Sequence, residues 1–353
     1  VRKLGSIQTV NTVEPIPGAD AVERIRVLGW WVVARKGEFR QGDRVVYCEL
    51  DSLLPERPEF EFLRASSFKP AVRDENGVEI QPAGFRIKTI RLRGQVSQGI
   101  CFPTTILSLG TRCDEGTDVT ALLGIRKWEP PIPLGMTGKV KGGFPGFLPK
   151  TDETRVQVLE GVLQRHRGKT FHMTEKLDGA SFSAFVRKGE FGICSRNFWL
   201  DESDDRSVLV RLSRRLELES RLKQAAAKHC FPLAIQGEVI GPGMQGNKYE
   251  LGEVSLRVFN VLDLAGGSLL EQPRMLDVLG EMQLESVPQL GTLVLEVGVD
   301  ELIALSQGTS MLNPKVQREG LVFRPLVEEY EPELGGRVSF KAINPKFLLK
   351  YDE

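Results

Sequence analysis

Lys176 stands in the segment Glu175-Lys176-Leu177-Asp178-Gly179, where an apolar strand-like run meets a glycine-bearing turn. Backbone at such a turn can approach a ligand closely. A lysine amine becomes a nucleophile only after losing its proton, and an ordinary pKa near ~10.4 leaves about one amine in a few thousand neutral at pH 7. Burial, a second lysine or a metal ion close by is the usual way to lower it.

Further stretches follow in an order that carries a resemblance. Ser195-Arg196-Asn197 comes next, then Gly237-Glu238 at the end of an apolar strand, then Arg257-Val258-Phe259-Asn260-Val261-Leu262-Asp263. Glu319-Gly320-Leu321-Val322 and Ser339-Phe340-Lys341 complete the series. With Lys176-Leu177-Asp178-Gly179 in front, these resemble the six motifs of the covalent nucleotidyltransferases, the superfamily of ATP-dependent ligases and mRNA capping enzymes. Residues 175–183 and the tract Gly237-Glu238-Val239-Ile240-Gly241-Pro242-Gly243-Met244-Gln245-Gly246-Asn247 are similar to the second type of bacteriophage RNA ligase. The stretch from Pro149 to Gln157, with a β-rich region before it, resembles the Deinococcus-type RNA ligases that carry an N-terminal OB domain.

That resemblance implies an ATP-dependent RNA ligase working in three steps. Lys176 attacks the α-phosphorus of ATP and expels pyrophosphate. AMP then passes from lysine to an RNA 5′-phosphate, and a 3′-hydroxyl displaces AMP, most naturally at a nick in a duplex. Positioning and charge stabilisation are what the protein must supply to such phosphoryl chemistry. The resemblance assigns catalysis to Lys176, Lys341 and Arg196, the last as a phosphate clamp. It places Glu175 at the adenine edge, Phe259 against the base, and Gly179, Ser181, Glu238 and Glu319 around the nucleotide. A hard ion, Mg²⁺ or Mn²⁺, would be held by Asp178, Glu238 and Glu319 partly through its waters. Lys341 and that ion are expected to depress the Lys176 pKa. Two positions depart from the phage pattern: Ile343 stands where a second lysine is common, leaving Lys346 in reserve, and Ser181 replaces an asparagine.

Composition agrees with a globular enzyme. The 353 residues are 41% hydrophobic and 27% charged, enough for about two domains with substantial cores. Charged residues interrupt the first thirty positions, and no later stretch approaches about eighteen uncharged apolar residues, so neither a secretory signal nor a membrane span is expected. Five scattered cysteines, without a C-x-x-C pair, suit free thiols in a reducing cytoplasm. The net charge is zero, yet residues 1–150 hold 22 Lys+Arg against 17 Asp+Glu and the remainder 25 against 30. A front part suited to a polyanion and a rear part rich in carboxylates would show such an offset.

The elements that must position these residues fall into an α+β arrangement: an N-terminal OB-like β-barrel, then a mixed α/β nucleotidyltransferase domain of the ATP-grasp-like ligase type. Residues 129–150 contain five prolines and five glycines and read as a linker between domains at 1–128 and 151–353. Strands are expected at 25–27, 30–34, 44–50 and 85–92 in front. Trp30 and Trp31 offer a stacking platform, with at least one of them expected in the core. In the rear, Thr151 or Asp152 should cap a helix running through Val156, Leu159, Val162 and Leu163 toward Gly168. Strands are expected at 170–175, 182–186, 233–240, 256–262, 320–323 and 338–340, with helices at 205–215, 221–229, 273–282 and 300–306.

RNA contacts are expected from Arg86, Lys88, Arg91 and Arg93, which alternate with apolar residues, and from Arg155. His166, His172 and His229 lack metal-like spacing. Rival readings are a capping guanylyltransferase or a DNA ligase, which normally carry an OB domain after the last motif, whereas twelve residues follow Lys341. A non-catalytic nucleic-acid-binding protein with a degenerate rear domain is the remaining rival. A monomer is expected.

Overall fold

A computed structural model describes residues 2–73, 77–129 and 139–351. The chain divides into two compact units, Val1–Pro131 with Pro345–Glu353, and Ile132–Asn344. Residues 130–138 of the expected linker lie outside the described residues, and its proline-free stretch Val140–Gly143 forms an edge strand of the rear unit. Among the described residues no helix is long and apolar enough to cross a membrane.

The front unit is built on a five-stranded sheet ordered Ile100–Pro103, Arg44–Cys48, Gly5–Pro15, Val22–Val27, Trp30–Arg35. One long strand serves two neighbours: the first half of Gly5–Pro15 pairs with Arg44–Cys48 and the second with Val22–Val27, with a register slip between Val10 and Thr12. A slip of that kind sharpens the local twist, and the expected barrel is present as a curled half-barrel of OB type. Val10, Ile25, Val27, Trp30, Val32 and Tyr47 are buried on one face of the sheet, and Ile7, Val46 and Cys48 on the other. Gly99 could hold no side chain: at φ +94° its Cβ would lie 2.4 Å from the Tyr47 ring. Trp30 is core as expected, while Trp31 is only partly buried, with the Arg24 and Arg26 guanidinium carbons 4.3 and 5.1 Å from its ring centre.

The strand expected at 85–92 is instead two, Gly84–Arg86 and Ile90–Leu92, in different sheets. Arg86 is buried, stacked 3.7 Å from the Trp128 ring centre and 3.6 Å from Asp51, so it presents no free charged face. Arg91 and Arg93 are exposed and Lys88 is partly so.

Among its described residues the rear unit has two large sheets and a two-stranded one, Tyr330–Glu331 with Gly336–Arg337. Seven strands run Val140–Gly143, Phe198–Leu200, Glu190–Cys194, Ala180–Arg187, Leu233–Ile240, Ser255–Asp263, Ser268–Leu269. Five run Thr154–Arg155, Phe340–Ile343, Gly320–Pro325, Thr170–Lys176, Gln289–Val294. Helices Val208–Arg215, Leu218–His229 and Gln272–Glu281 bury their apolar residues against the first sheet. Glu160–Arg165 and Val299–Ser306 cover the second. The helix expected from Thr151 is reduced to Glu160–Arg165 after a 3₁₀ turn, because Thr154 and Arg155 pair in parallel with Phe340 and Lys341. A tertiary ladder overrides local helical periodicity there.

Buried polar side chains staple the two sheets together. Arg324 donates to Ser339 Oγ at 3.1 Å, to the Phe259 carbonyl at 2.8 Å and to Glu153 Oε1 at 3.0 Å. Burial pushes the Glu153 carboxyl up, but Arg324, Ser339 and Arg337 outweigh it and hold it below the usual range. Arg337 reaches Asn260 Oδ1 at 3.1 Å, and Asn260 donates to Gln236 at 2.9 Å.

His172 lies 4% exposed on the strand beside Arg324. Burial, then Arg324 and Arg337, lower its pKa from 6.5 to about 4. Between those values the unfolded chain binds a proton that the folded one refuses, so stability falls as pH falls through that window. In urea unfolding, the wild type should lose about 2–3 kcal/mol more than His172→Gln between pH 7 and 4.5. Equal losses would refute this account of the histidine.

Candidate active site

Lys176 ends a strand of the five-stranded sheet, and Ala180 begins a strand of the seven-stranded one. Leu177, Asp178 and Gly179 therefore cross from sheet to sheet in three residues. Gly179 is forced by that crossing: a Cβ would lie 2.3 Å from the Val239 carbonyl oxygen and 2.8 Å from Ile240 Cγ2. Its N–H donates to Glu238 Oε1 at 3.0 Å, which places the acid of the neighbouring strand against the turn. Asp178 donates its N–H to Tyr249 Oη at 2.7 Å, while its carboxylate lies 2.5 Å from the Lys248 ammonium.

Lys176 Nζ donates to Glu319 Oε1 at 2.5 Å. Glu319 leads into the Gly320–Pro325 strand, where Gly320 pairs with Lys176 and Val322 with Lys341. Four residues from separate motifs, Lys176, Glu238, Glu319 and Lys341, are thus brought together in one charged cluster. Burial and the neighbouring acids Glu319 and Asp178 raise the Glu238 pKa to about 8, with Lys176 opposing. Burial, Lys176 and Arg155 lower that of Lys341 to about 7.

The expected depression of Lys176 is not what this arrangement produces. Burial does act to lower its pKa, but Glu319, Glu238 and Asp178 together raise it above the ordinary value. The three acids together outweigh burial. An additional cation on those acids is what the chemistry calls for, and the acids suit one: Glu319 Oε2 is buried with no hydrogen-bond partner among the described residues. Among those residues no three acid, imidazole or thiol groups gather closely enough to ligate an ion directly. Water-mediated contact is the mode the separation allows.

Glu175, 1% exposed, accepts the Met311 N–H at 2.8 Å through Oε2. Burial raises its pKa, and Oε1 is left without a partner among the described residues. Phe259 is partly buried and packs against the apolar group of Leu177, Ile240, Tyr249, Val287 and Val316. Ser181 pairs with Glu238 across the sheet. Arg196 is half-exposed and forms a double hydrogen bond to Asp152, at 2.9 and 2.8 Å. Arg155, expected to contact RNA, lies in the strand beside Lys341. Lys346 belongs to the C-terminal helix Pro345–Tyr351, in the other unit.

Sequence reasoning missed Lys248, Tyr249, Asp152 and Arg324. A signal was available for the first two, which follow directly on a tract crowded with glycine, proline and asparagine. For Arg324 nothing in the sequence distinguishes it from a surface charge, and Asp152 reads there only as a candidate helix cap.

A family model described as RNA ligase matches residues 169–343, and one described as an OB-fold domain matches residues 4–104. No curated protein matches the chain. Among solved structures, an RNA ligase of Naegleria gruberi with pyrophosphate is 35% identical, with a TM-score of 0.86 over 100% of this chain and 99% of that one. A glutamate-to-alanine mutant of the same ligase with ATP and manganese is 34% identical, with a TM-score of 0.87 over 100% of each chain. A second glutamate-to-alanine mutant with AMP and manganese is 34% identical, with a TM-score of 0.85 over 98% of each. With that likeness extending over both units, the chain belongs to the ATP-dependent RNA ligases that carry an OB-fold domain ahead of the ligase domain.

Proposed function

We propose that Lys176 is the residue that carries AMP, and that this ligase seals nicks whose 3′-hydroxyl strand is RNA. The convergence of Lys176, Glu238, Glu319 and Lys341 at the crossing between the two sheets carries the reading.

In the first step the Lys176 nitrogen forms a bond to the α-phosphorus as the bond to pyrophosphate breaks. Attack needs the neutral amine, and the three acids around it oppose that state. A divalent cation, Mg²⁺ or Mn²⁺, held through water by Asp178, Glu238 and Glu319, would cancel their hold and offset charge on the phosphates. Lys341 faces the same cluster and, when protonated, stabilises charge on the leaving pyrophosphate. The unpaired Glu175 oxygen is placed to accept from the adenine amino group, and Phe259 supplies an aromatic face for the base, worth roughly 1–3 kcal/mol. Gly179 and Ser181 line the approach to the phosphates.

In the later steps Arg196 grips the RNA 5′-phosphate, which requires it to leave Asp152. An exposed ion pair of that kind costs little to break, typically under about 1 kcal/mol. The front unit serves as the RNA-binding domain and the rear as the adenylyltransferase. Of the proposed RNA contacts, Lys88, Arg91 and Arg93 remain accessible, and the outer-face group of Arg24, Arg26 and Trp31 adds a basic and aromatic surface of the same chemistry. Free cysteines support a reducing, cytoplasmic setting, and a monomer suffices for the chemistry.

Incubation with α-labelled ATP and Mn²⁺ should label the protein covalently, GTP should not, and Lys176→Ala should abolish the label. Labelling that survives in Lys176→Ala would overturn the assignment of the nucleophile. On a nicked duplex, Arg196→Ala should reduce sealing by about 10–100-fold while label from ATP falls less. Equal loss in both assays would move Arg196 to the nucleotide. Sealing should persist with an RNA 3′-hydroxyl strand and drop with a DNA one, and indifference to that exchange would reject the nick preference.

A further inference from the structure

Lys248 and Tyr249 hold Asp178 from two sides, the first at its carboxylate and the second at its backbone N–H. Their loop is built for that grip. Gln245, Gly246, Asn247 and Glu250 all adopt left-handed backbone, at φ 41°, 71°, 48° and 55°, which is costly for the three that are not glycine. Asn247 ties the loop to itself by exchanging hydrogen bonds with the backbone of Leu251, and Asn313 donates to the Tyr249 carbonyl. Strain of this kind persists only where the surroundings demand the geometry. Here it delivers an ammonium, with its side chain 12% exposed, to within 2.5 Å of an acid that is 16% exposed.

Asp178 also belongs to the acid cluster around Lys176, where it adds to the raised pKa values of both Lys176 and Glu238. Two cations cannot share one carboxylate at close range without mutual repulsion, least of all away from bulk water. We propose that Lys248 is a tethered counter-cation that competes with the divalent ion for Asp178, so that metal binding must displace its ammonium. The inference rests on the reading of Asp178 as a metal-site acid. It makes Lys248 a positioning residue whose charge sets how readily the ion enters.

Free Mn²⁺ measured by electron paramagnetic resonance during titration of the nucleotide-free protein separates the possibilities. Lys248→Met should bind Mn²⁺ about five-fold or more tightly than wild type, a change typical of coupled sites. Lys248→Arg, which keeps the charge, should stay near wild type, and Asp178→Asn should weaken binding. Thermal unfolding of each variant reports whether the loop has kept its fold. If Asp178→Asn weakens binding but Lys248→Met leaves it unchanged or weaker, the ion pair is structural and the counter-cation role is overturned, with the metal-site reading intact. If Asp178→Asn binds as well as wild type, that reading falls and the counter-cation role falls with it. No Mn²⁺ binding by either wild type or Lys248→Met overturns the proposal as well.

Discussion

One amine, Lys176, held among the three acids Glu319, Glu238 and Asp178 is the interaction on which the proposed chemistry of this ligase depends. At an effective dielectric near 20, unit charges about 4 Å apart interact by roughly 4 kcal/mol, which exceeds what separates a protonated from a neutral lysine over two pH units. Burial alone would favour the neutral Lys176. Glu319, Glu238 and Asp178 reverse that preference. The acids therefore act against the neutral amine that the proposed role of Lys176 as nucleophile needs. On that proposed reading, an extra cation at the acids would make the amine available and would couple it to the ion that shields the phosphates. The manganese in the related ATP and AMP complexes accords with this dependence.

Such a cluster needs a rigid frame, because a charge displaced by an ångström changes every interaction in it. The frame is the three-residue crossing between two sheets. Leu177 anchors it in an apolar group with Ile240, Tyr249, Val287 and Val316. Gly179 lets it pass against the Val239 carbonyl, and the Arg324 network fixes one sheet against the other through Phe259, Ser339 and Glu153. The same arginine thereby connects the strand of Phe259 to the segment that leads into the strand of Lys341. Buried networks of this type act as specifying devices only when fully satisfied.

The front unit solves a different problem, that of presenting charge without losing a core. Trp30 and Trp31 show the division: adjacent residues on one strand point to opposite faces, so one packs under the sheet and the other stands outside with two arginines. Arg86 shows the opposite outcome, its guanidinium used to stack on Trp128 inside the unit.

Motif order alone grouped Lys176, Glu238, Glu319 and Lys341, and strand-like runs at 170–175, 233–240 and 256–262 matched strands of the structure. Those features are local: a residue type, a spacing, a glycine where only glycine fits. Charge balance is not local. That the acids raise the Lys176 pKa, that Lys341 is the depressed lysine, that Lys248 pairs with Asp178 and that Arg86 is buried all follow from distances between segments far apart in the chain. The helix lost at Thr151 has the same origin, since its backbone hydrogen bonds go to a strand nearly two hundred residues away. Electrostatic energy depends on separation and burial, and the chain acquires both only when its sheets close on one another.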